Sequence, residues 1–271
     1  MTGDTLPRCQ SGSGVLIAVH GGPTSVQTIK VGLALADRWR TEAAIVTVVA
    51  PGLDRIRRRE VERRLSEVAG ERQVPIHLID GPLAPAITTA AESWGAAIVV
   101  IGLGRGSHHT AATVVRSARR SVLAVSPHES TMMTRVILTA DFGGSNIRAD
   151  ECALSLLESN AQAELVHVIP DFCHLSPEKK AVWRRIYDNV ATELLEHTRG
   201  QLPSRAGHAI PSRVLVGDAA CVLVDIAHRE HADLIALGRH SLPETPGNYD
   251  GLGPVLGSVL EQAPCSVLVA P

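Results

Sequence analysis

The hydrophobic positions fall into short runs rich in Val, Ile and Leu, and these runs alternate with longer segments of helical period. Nearly continuous apolar runs such as 98–101 indicate strands that are covered on both faces. Alternation of this kind predicts βαβ units and a parallel sheet. The predicted strands lie near 14–20, 43–50, 74–79, 97–101 and 121–126, then near 135–141, 163–169, 210–216, 233–237 and 266–270, and the predicted helices of the first half lie near 24–38, 54–70, 83–94 and 111–118.

The same order of signals occurs twice along the chain. Four pairs of segments match in order: GVLIAVHGGPTS with RVILTADFGGSN, EAAIVTVVAP with QAELVHVIPD, ESWGAAIVVIG with REHADLIALG, and SVLAVSP with SVLVAP. Between the halves, the polar stretch HESTMMTR has no period, which is typical of a linker. We therefore expect two similar α/β domains, 1–128 and 129–271, each with a five-stranded parallel sheet between helices.

Composition and charge narrow the classes of function. A 271-residue chain with 45% hydrophobic and 20% charged residues can bury cores of ordinary size. A net charge of -2 leaves no basic field for nucleic acid or an anionic membrane. No apolar run reaches the length of a spanning helix, and the opening MTGDTLPRCQ is unlike a leader peptide. The expectation is a cytoplasmic protein whose partners are neither nucleic acids nor membranes.

Two helical segments allow more than one interpretation. The segment from Asp54 has six arginines between 55 and 64, which suggests nucleic-acid binding, but interleaved glutamates favour a solvated, salt-bridged face. The segment that follows Ser176 and Pro177 carries an apolar stripe with two aromatic residues. An aromatic ligand site is one interpretation of this stripe, but a face packed on the core is favoured. The stripe consists of Val182, Trp183, Ile186, Tyr187, Val190 and Leu195.

Candidate chemistry lies where the predicted strands end, because ligands of open parallel sheets bind beyond the carboxyl ends of the strands. In the second half, the first strand ends at Asp141 before a glycine-rich turn, and the fourth ends at Gly238. The Asp141 carboxylate would accept a hydrogen bond from an amino or ribose hydroxyl group. Gly257 and Ser258, near a predicted helix start, would offer donors to phosphate oxygens.

In these features the chain resembles the universal stress protein family in its tandem two-domain form, from about Gly14 onward. The signs are ILTADFGGS from Ile137, the VGD turn from Val216, ADLIALGR from Ala232 and LGSVLEQAPCSVLVAP from Leu256. The resemblance implies a five-stranded sheet in the order 3-2-1-4-5. It also implies binding of ATP in one branch of the family, through a G-x2-G-x9-G-[ST] motif and the first-strand Asp, and no nucleotide in another branch.

The resemblance places the nucleotide site in the second half. Its expected contacts are Ala140, Asp141, Gly238, Ser241, Gly257, Ser258 and Val259. The motif is incomplete, because Ser241 stands at the position of its second glycine and the following loop LPETPGNYDGLGPV is longer than the family spacing, although nine residues separate Gly247 from Gly257. The added Cβ of a serine restricts φ and takes up room beside a phosphate.

The first half departs further from the pattern. His20 replaces the aspartate, the short loop GLGRGSHH replaces the glycine motif, and Ala112 with Thr113 replace Gly-Ser. This half is expected to be a structural partner without a working site. The last strands, 121–126 and 266–270, are the expected edges for self-association or for a partner protein, since paired domains of the family often meet there.

The sequence indicates neither a metal site nor a catalytic residue. Twelve histidines include the pairs His108 with His109 and His228 with His231, but none completes a four-ligand set. No G-x-S-x-G elbow occurs, and His240 is the only candidate for a general base in slow ATP hydrolysis. The function that we expect is a non-catalytic module of the stress response that binds ATP, with or without Mg²⁺. The alternative is a nucleotide-free scaffold that acts through protein association.

Overall fold

The computed structural model describes residues 14–20, 22, 24–70, 72–104, 108–127, 133–142, 144–157, 161–173, 175–202, 210–239 and 252–271. The chain divides into two compact units, 1–132 and 133–271. Of the expected site residues, Ser241 lies outside the described residues, as do Gly247, His240 and most of the HESTMMTR stretch.

The first unit is a parallel sheet in the order β3-β2-β1-β4-β5. All six residues of β1 are buried, as the nearly continuous apolar pattern predicts for a central parallel strand. Its elements are β1 (Gly14–Val19), α1 (Thr24–Trp39), β2 (Ala43–Val49), α2 (Arg55–Ala69), β3 (Ile76–Asp80), α3 (Leu83–Trp94), β4 (Ala96–Gly102), α4 (His108–Ser117) and β5 (Ser121–Val125).

The second unit has the same arrangement, with a parallel sheet in the order β8-β7-β6-β9-β10. The predicted α/β class and strand order 3-2-1-4-5 are thereby confirmed. Its elements are β6 (Arg135–Thr139), α5 (Gly144–Leu156), β7 (Gln162–Ile169), α6 (Pro177–Gln201), β8 (Ser212–Val216), α7 (Ala219–Arg229), β9 (Leu234–Gly238), α8 (Pro254–Gln262) and β10 (Ser266–Ala270).

Short-range chemistry sets several helix starts. Asp54 caps α2 by accepting a hydrogen bond from the Arg57 amide at 2.9 Å, and Asp218 caps α7 through the Cys221 amide at 3.0 Å. Gly217, before Asp218, has a φ of 146°, a value that L side chains rarely adopt. The VGD turn thus combines a backbone position suited to glycine with a carboxylate cap.

The two helical segments that allowed more than one interpretation are α2 and α6. On α2, Arg63 and Arg64 pair with Glu60, so the predicted salt-bridged face is confirmed. Helix α6 begins at Pro177 as predicted, but the prediction that its stripe packs on the core is wrong. Of the six stripe residues only Leu195 is buried, and the other five are between 39% and 53% exposed. The buried side of the helix consists instead of Ala191, Leu195 and Thr198.

Candidate functional site

A cavity of about 220 Å³ lies at the carboxyl ends of the central strands of the second unit. Strands β6 and β9 are hydrogen-bonded neighbours, with Leu138 in register with Ala236, so their ends open on the same edge. Three of the expected contacts, Ala140, Asp141 and Gly238, line this cavity. The rest of its wall is mainly aliphatic: Val166, Val168, Leu223, Leu237, Leu252, Val255 and Leu256. An apolar cavity with a few polar groups is the usual form of a small-molecule site.

Asn146 holds the two strand ends together. Its side-chain amide nitrogen donates to the Thr139 carbonyl at 2.9 Å and to the Thr139 hydroxyl at 3.3 Å, and its amide oxygen accepts from the Gly238 N–H. The Thr139 hydroxyl in turn donates to the Ala236 carbonyl at 2.8 Å. Asn146 is buried and lines the cavity, so it fixes the position of one of its walls. Sequence reasoning missed this residue, although a polar side chain on the core-facing side of α5 was a usable signal.

Asp141 sits beside a second polar contact of the cavity. The His167 ring nitrogen Nδ1 lies 2.6 Å from the Ala140 carbonyl oxygen. Because a carbonyl oxygen can only accept a hydrogen bond, Nδ1 carries the proton in this contact. The ring of Phe142, a residue with a φ of 64°, stacks against His167 with centroids 4.5 Å apart. His167 was also missed, because a lone histidine within a strand carries no motif.

A second carboxyl group, that of Asp150, lies close enough to Asp141 for the charge of Asp141 to affect its pKa. Asp150 on α5 is completely buried, and neither of its oxygens has a hydrogen-bond partner among the described residues. Burial raises the pKa of Asp150 well above its ordinary value, and the negative charges of Asp141 and Glu151 raise it further. The second unit therefore keeps a buried carboxyl group of raised pKa within reach of the charge of Asp141.

Helix α8 begins earlier than the sequence analysis expected, so Gly257 and Ser258 lie within the helix and not at its start. Pro254 is its first residue, three positions before Gly257. The Gly257 N–H donates to the Gly253 carbonyl at 3.2 Å, so this donor belongs to the helix. Gly257, Ser258 and Val259 are not among the residues that line the cavity. The preceding Val255 and Leu256 do line it, and amides in the first turn of a helix have no acceptor within the helix.

The carboxyl ends of the strands in the first unit carry different polar groups. His20 accepts a hydrogen bond from the Gly22 amide through Nδ1 at 3.0 Å. At the end of β4, a Cβ on Gly102 would lie 2.9 Å from the Thr28 hydroxyl oxygen, so helix α1 approaches the strand closely. Ala112 and Thr113 are inside α4, and the Thr113 hydroxyl donates to the His109 carbonyl at 2.7 Å.

A larger cavity of about 480 Å³ lies at the opposite, amino ends of β6 and β7. The charged residues that line it already have partners within the unit: Glu164 and Glu230 contact Arg213 at 2.9 Å and 2.6 Å, and Arg135 donates to the Glu230 carbonyl at 2.6 Å. Burial raises the pKa of Glu164 despite the nearby arginines. These mutual ion pairs account for the polar groups, so the cavity at the carboxyl ends remains the better candidate.

Within the described part of the chain, no group of three or more His, Cys, Asp or Glu side chains is arranged to hold a metal ion. No described helix is both long and apolar enough to cross a membrane.

Comparisons with known proteins agree with the geometry of the fold. A universal stress protein from Archaeoglobus fulgidus DSM 4304 superposes with a TM-score of 0.61 at 15% identity, covering 96% of both chains. A putative universal stress protein from Pseudomonas aeruginosa UCBPP-PA14 gives a TM-score of 0.65 at 13% identity, covering 95% of this chain and 92% of that one. No curated protein sequence matches. The sequence profile of the universal stress protein family matches residues 132–271, and the chain therefore belongs to that family.

Proposed function

We propose that the second unit binds an adenine nucleotide in the cavity at the ends of β6 and β9, and that this binding serves a stress response without catalysis. The observation that supports this most is the position of Asp141, a carboxylate in the lining of a mainly aliphatic cavity. Such a wall suits the faces of a purine, while the carboxylate accepts from an amino or hydroxyl group that an apolar wall cannot satisfy.

The size of the cavity indicates which part of the nucleotide it would hold. Its volume of about 220 Å³ is below the roughly 300–1,000 Å³ of common ligand pockets. The nucleoside fits this volume better than the whole nucleotide, so the phosphates would extend past the first turn of α8. There, the N–H groups of Val255 and Leu256 and the positive end of the helix dipole favour an anion.

The test is release of small molecules from freshly purified protein, followed by calorimetric titration with ATP, with and without Mg²⁺. We expect about one nucleotide per chain, and Asp141→Ala should weaken binding roughly tenfold or more, since hydrogen bonds to charged groups contribute about 1.5–3 kcal/mol. His20→Ala, at the matching strand end of the first unit, is the control and should leave affinity unchanged. Equal losses in both variants would contradict the assignment to the second unit.

A second candidate function is a nucleotide-free scaffold, which one observation favours. The Gly257 N–H is used inside α8, and Ser258 is outside the cavity wall, so two of the expected phosphate contacts are not directed at it. Absence of released nucleotide, together with no heat at millimolar ATP, would support the scaffold. In that case, a search for partner proteins comes first.

A further inference from the structure

Helix α6 presents an unusually apolar face to solvent. The helix has 25 residues, yet its first 14, all of them described, include no buried residue. Six large hydrophobic side chains on it are between 39% and 53% exposed: Val182, Trp183, Ile186, Tyr187, Val190 and Leu194. Scattered exposed hydrophobic residues are normal, but a continuous patch of this kind usually marks an interaction surface.

Aromatic residues are concentrated at this patch. The whole chain has only seven Phe, Tyr and Trp residues, and three of them meet here. The rings of Phe172 and Tyr187 have centroids 5.1 Å apart, and those of Trp183 and Tyr187 are 6.0 Å apart. Trp and Tyr are the residues most enriched among those that dominate binding energy at protein interfaces. A chain so poor in aromatic residues thus places nearly half of them on one solvent-facing surface.

The exposed face has a symmetric spacing. Lys179, Val182, Ile186, Val190 and Glu193 follow each other at intervals of three, four, four and three residues, and all five are exposed. At 3.6 residues per turn they share an arc of about 80° on one side of the helix. The series reads the same in both directions about Ile186, except that one end is a lysine and the other a glutamate. We propose that two copies of the chain pair their α6 helices antiparallel, about a twofold axis at Ile186.

In this arrangement opposite charges meet at both ends of the contact. With Ile186 facing its own copy, Val182 faces Val190 of the second copy and Lys179 faces Glu193. Neither Lys179 nor Glu193 has an ion-pair partner among the described residues of its own chain. A parallel pair would instead oppose lysine to lysine and glutamate to glutamate, which is unfavourable. The charge pattern therefore selects the antiparallel orientation, and an isologous pair of this type closes after two copies.

The first experiment measures association of the full chain by sedimentation across a range of concentrations. We expect a monomer–dimer equilibrium that Ile186→Glu weakens at least tenfold, because the substitution places two carboxylates at the axis of an apolar contact. Ile56→Glu is the matched control, since Ile56 is 81% exposed on α2 of the first unit. It should leave the equilibrium unchanged. Both residues are exposed, so neither substitution disturbs a core.

The second experiment tests the orientation by charge reversal. Lys179→Glu and Glu193→Lys should each weaken the dimer by roughly threefold to tenfold, because each creates two like-charge contacts. The double variant restores opposite signs and should recover the affinity of the unmodified chain. In a parallel pair the single variants would have no such effect, since like charges oppose each other there before and after the change.

Three outcomes would overturn the proposal. A chain that stays monomeric at every concentration excludes the pair, and its helix face would then be covered by another part of the chain or by a different protein. A dimer that is insensitive to Ile186→Glu places self-association on another surface of the chain. Loss in the single charge variants without recovery in the double variant excludes the antiparallel register.

Discussion

The two units end their first strand and begin the next helix with different residues at matching positions. The alignment of GVLIAVHGGPTS with RVILTADFGGSN places Ser25 against Asn146 and, four residues on, Ile29 against Asp150. All four side chains are buried. In the first unit they are a hydroxyl without a hydrogen-bond partner in the described structure and an aliphatic group. In the second unit they are an amide with three hydrogen bonds and a carboxyl group.

This difference indicates that the same fold allows two kinds of environment at the carboxyl ends of its central strands. The apolar Ile29 stabilises the first unit by packing alone, and the edge needs no polar network. The second unit keeps Asn146 to fix the Gly238 backbone, and it tolerates a buried carboxyl group near Asp141. Groups that cost stability and lie beside a cavity are typical of functional sites, whereas the matching apolar choice is typical of a scaffold.

The largest expected effect on stability comes from Asn146→Ala. The change leaves the Gly238 N–H without its acceptor in a buried position and should cost about 2–4 kcal/mol. The urea midpoint measures the loss, and faster hydrogen exchange at the Gly238 amide locates it. Ser25→Ala, the matched change in the first unit, removes a buried hydroxyl with no partner among the described residues and should be nearly neutral. Comparable losses in the two variants would mean that the polar network does not distinguish the units.

A smaller effect, with a defined pH dependence, is expected for Asp150→Asn. The pKa of this carboxyl is raised in the folded chain, so between its ordinary value of 3.8 and the raised value the folded state binds more protons than the unfolded state. Stability therefore falls as pH rises through this window and stays low above it. The variant should be more stable than the unmodified chain by about 1–3 kcal/mol at neutral pH, with the gain vanishing in acid.

Melting temperatures across the acidic and neutral range measure this gain. Asp225→Asn on α7 serves as the control, because the Asp225 side chain is 61% exposed and pairs with Arg229 at 2.7 Å. It should show no gain at neutral pH. A gain for Asp150→Asn that is the same at every pH would contradict a role for the ionised carboxylate.

The sequence predicts the fold well because apolar runs identify buried parallel strands directly. Segments such as 98–101 and 266–270 need no tertiary information to be assigned. The orientation of α6 could not be predicted in the same way, because a stripe with a period of 3.6 reveals an apolar face but not what covers it. Trp183 and Ile186 have the same pattern whether they pack on a sheet or on another molecule.

The candidate site was predictable only where backbone topology decides it. Asp141 and Gly238 meet because parallel strands end at a common edge, which follows from strand order. The Asn146 side chain reaches the end of β9 from α5, and no sequence motif predicts its hydrogen bond with the Gly238 N–H. The start of α8 had a readable signal, since Pro254 suits the first turn of a helix, and this start places Gly257 one turn inside.

The smallest expected effect concerns α2 of the first unit, whose exposed face is charged, whereas the exposed face of α6 in the second unit is apolar. On α2, hydrogen bonds from Arg63 and Arg64 lower the pKa of Glu60 to about 2. Because the unfolded pKa is higher, the stabilisation is present above that ordinary value and is lost as pH falls through about 2. The Glu60 side chain is 40% exposed at the surface of the protein, so salt screens much of the effect and the change in melting temperature should be small.

An NMR titration of the Glu60 carboxyl measures this pKa directly, and replacing both Arg63 and Arg64 by Ala should return it towards 4.5. Added salt should weaken the ion pairs of α2 but leave the apolar centre of an α6 pair intact, because screening acts on charges and not on apolar burial. The two helices would then respond differently to the same change of solvent. If salt dissociated α6 dimers as readily as it raised the Glu60 pKa, charge rather than the Val182, Ile186 and Val190 contact would hold the copies together.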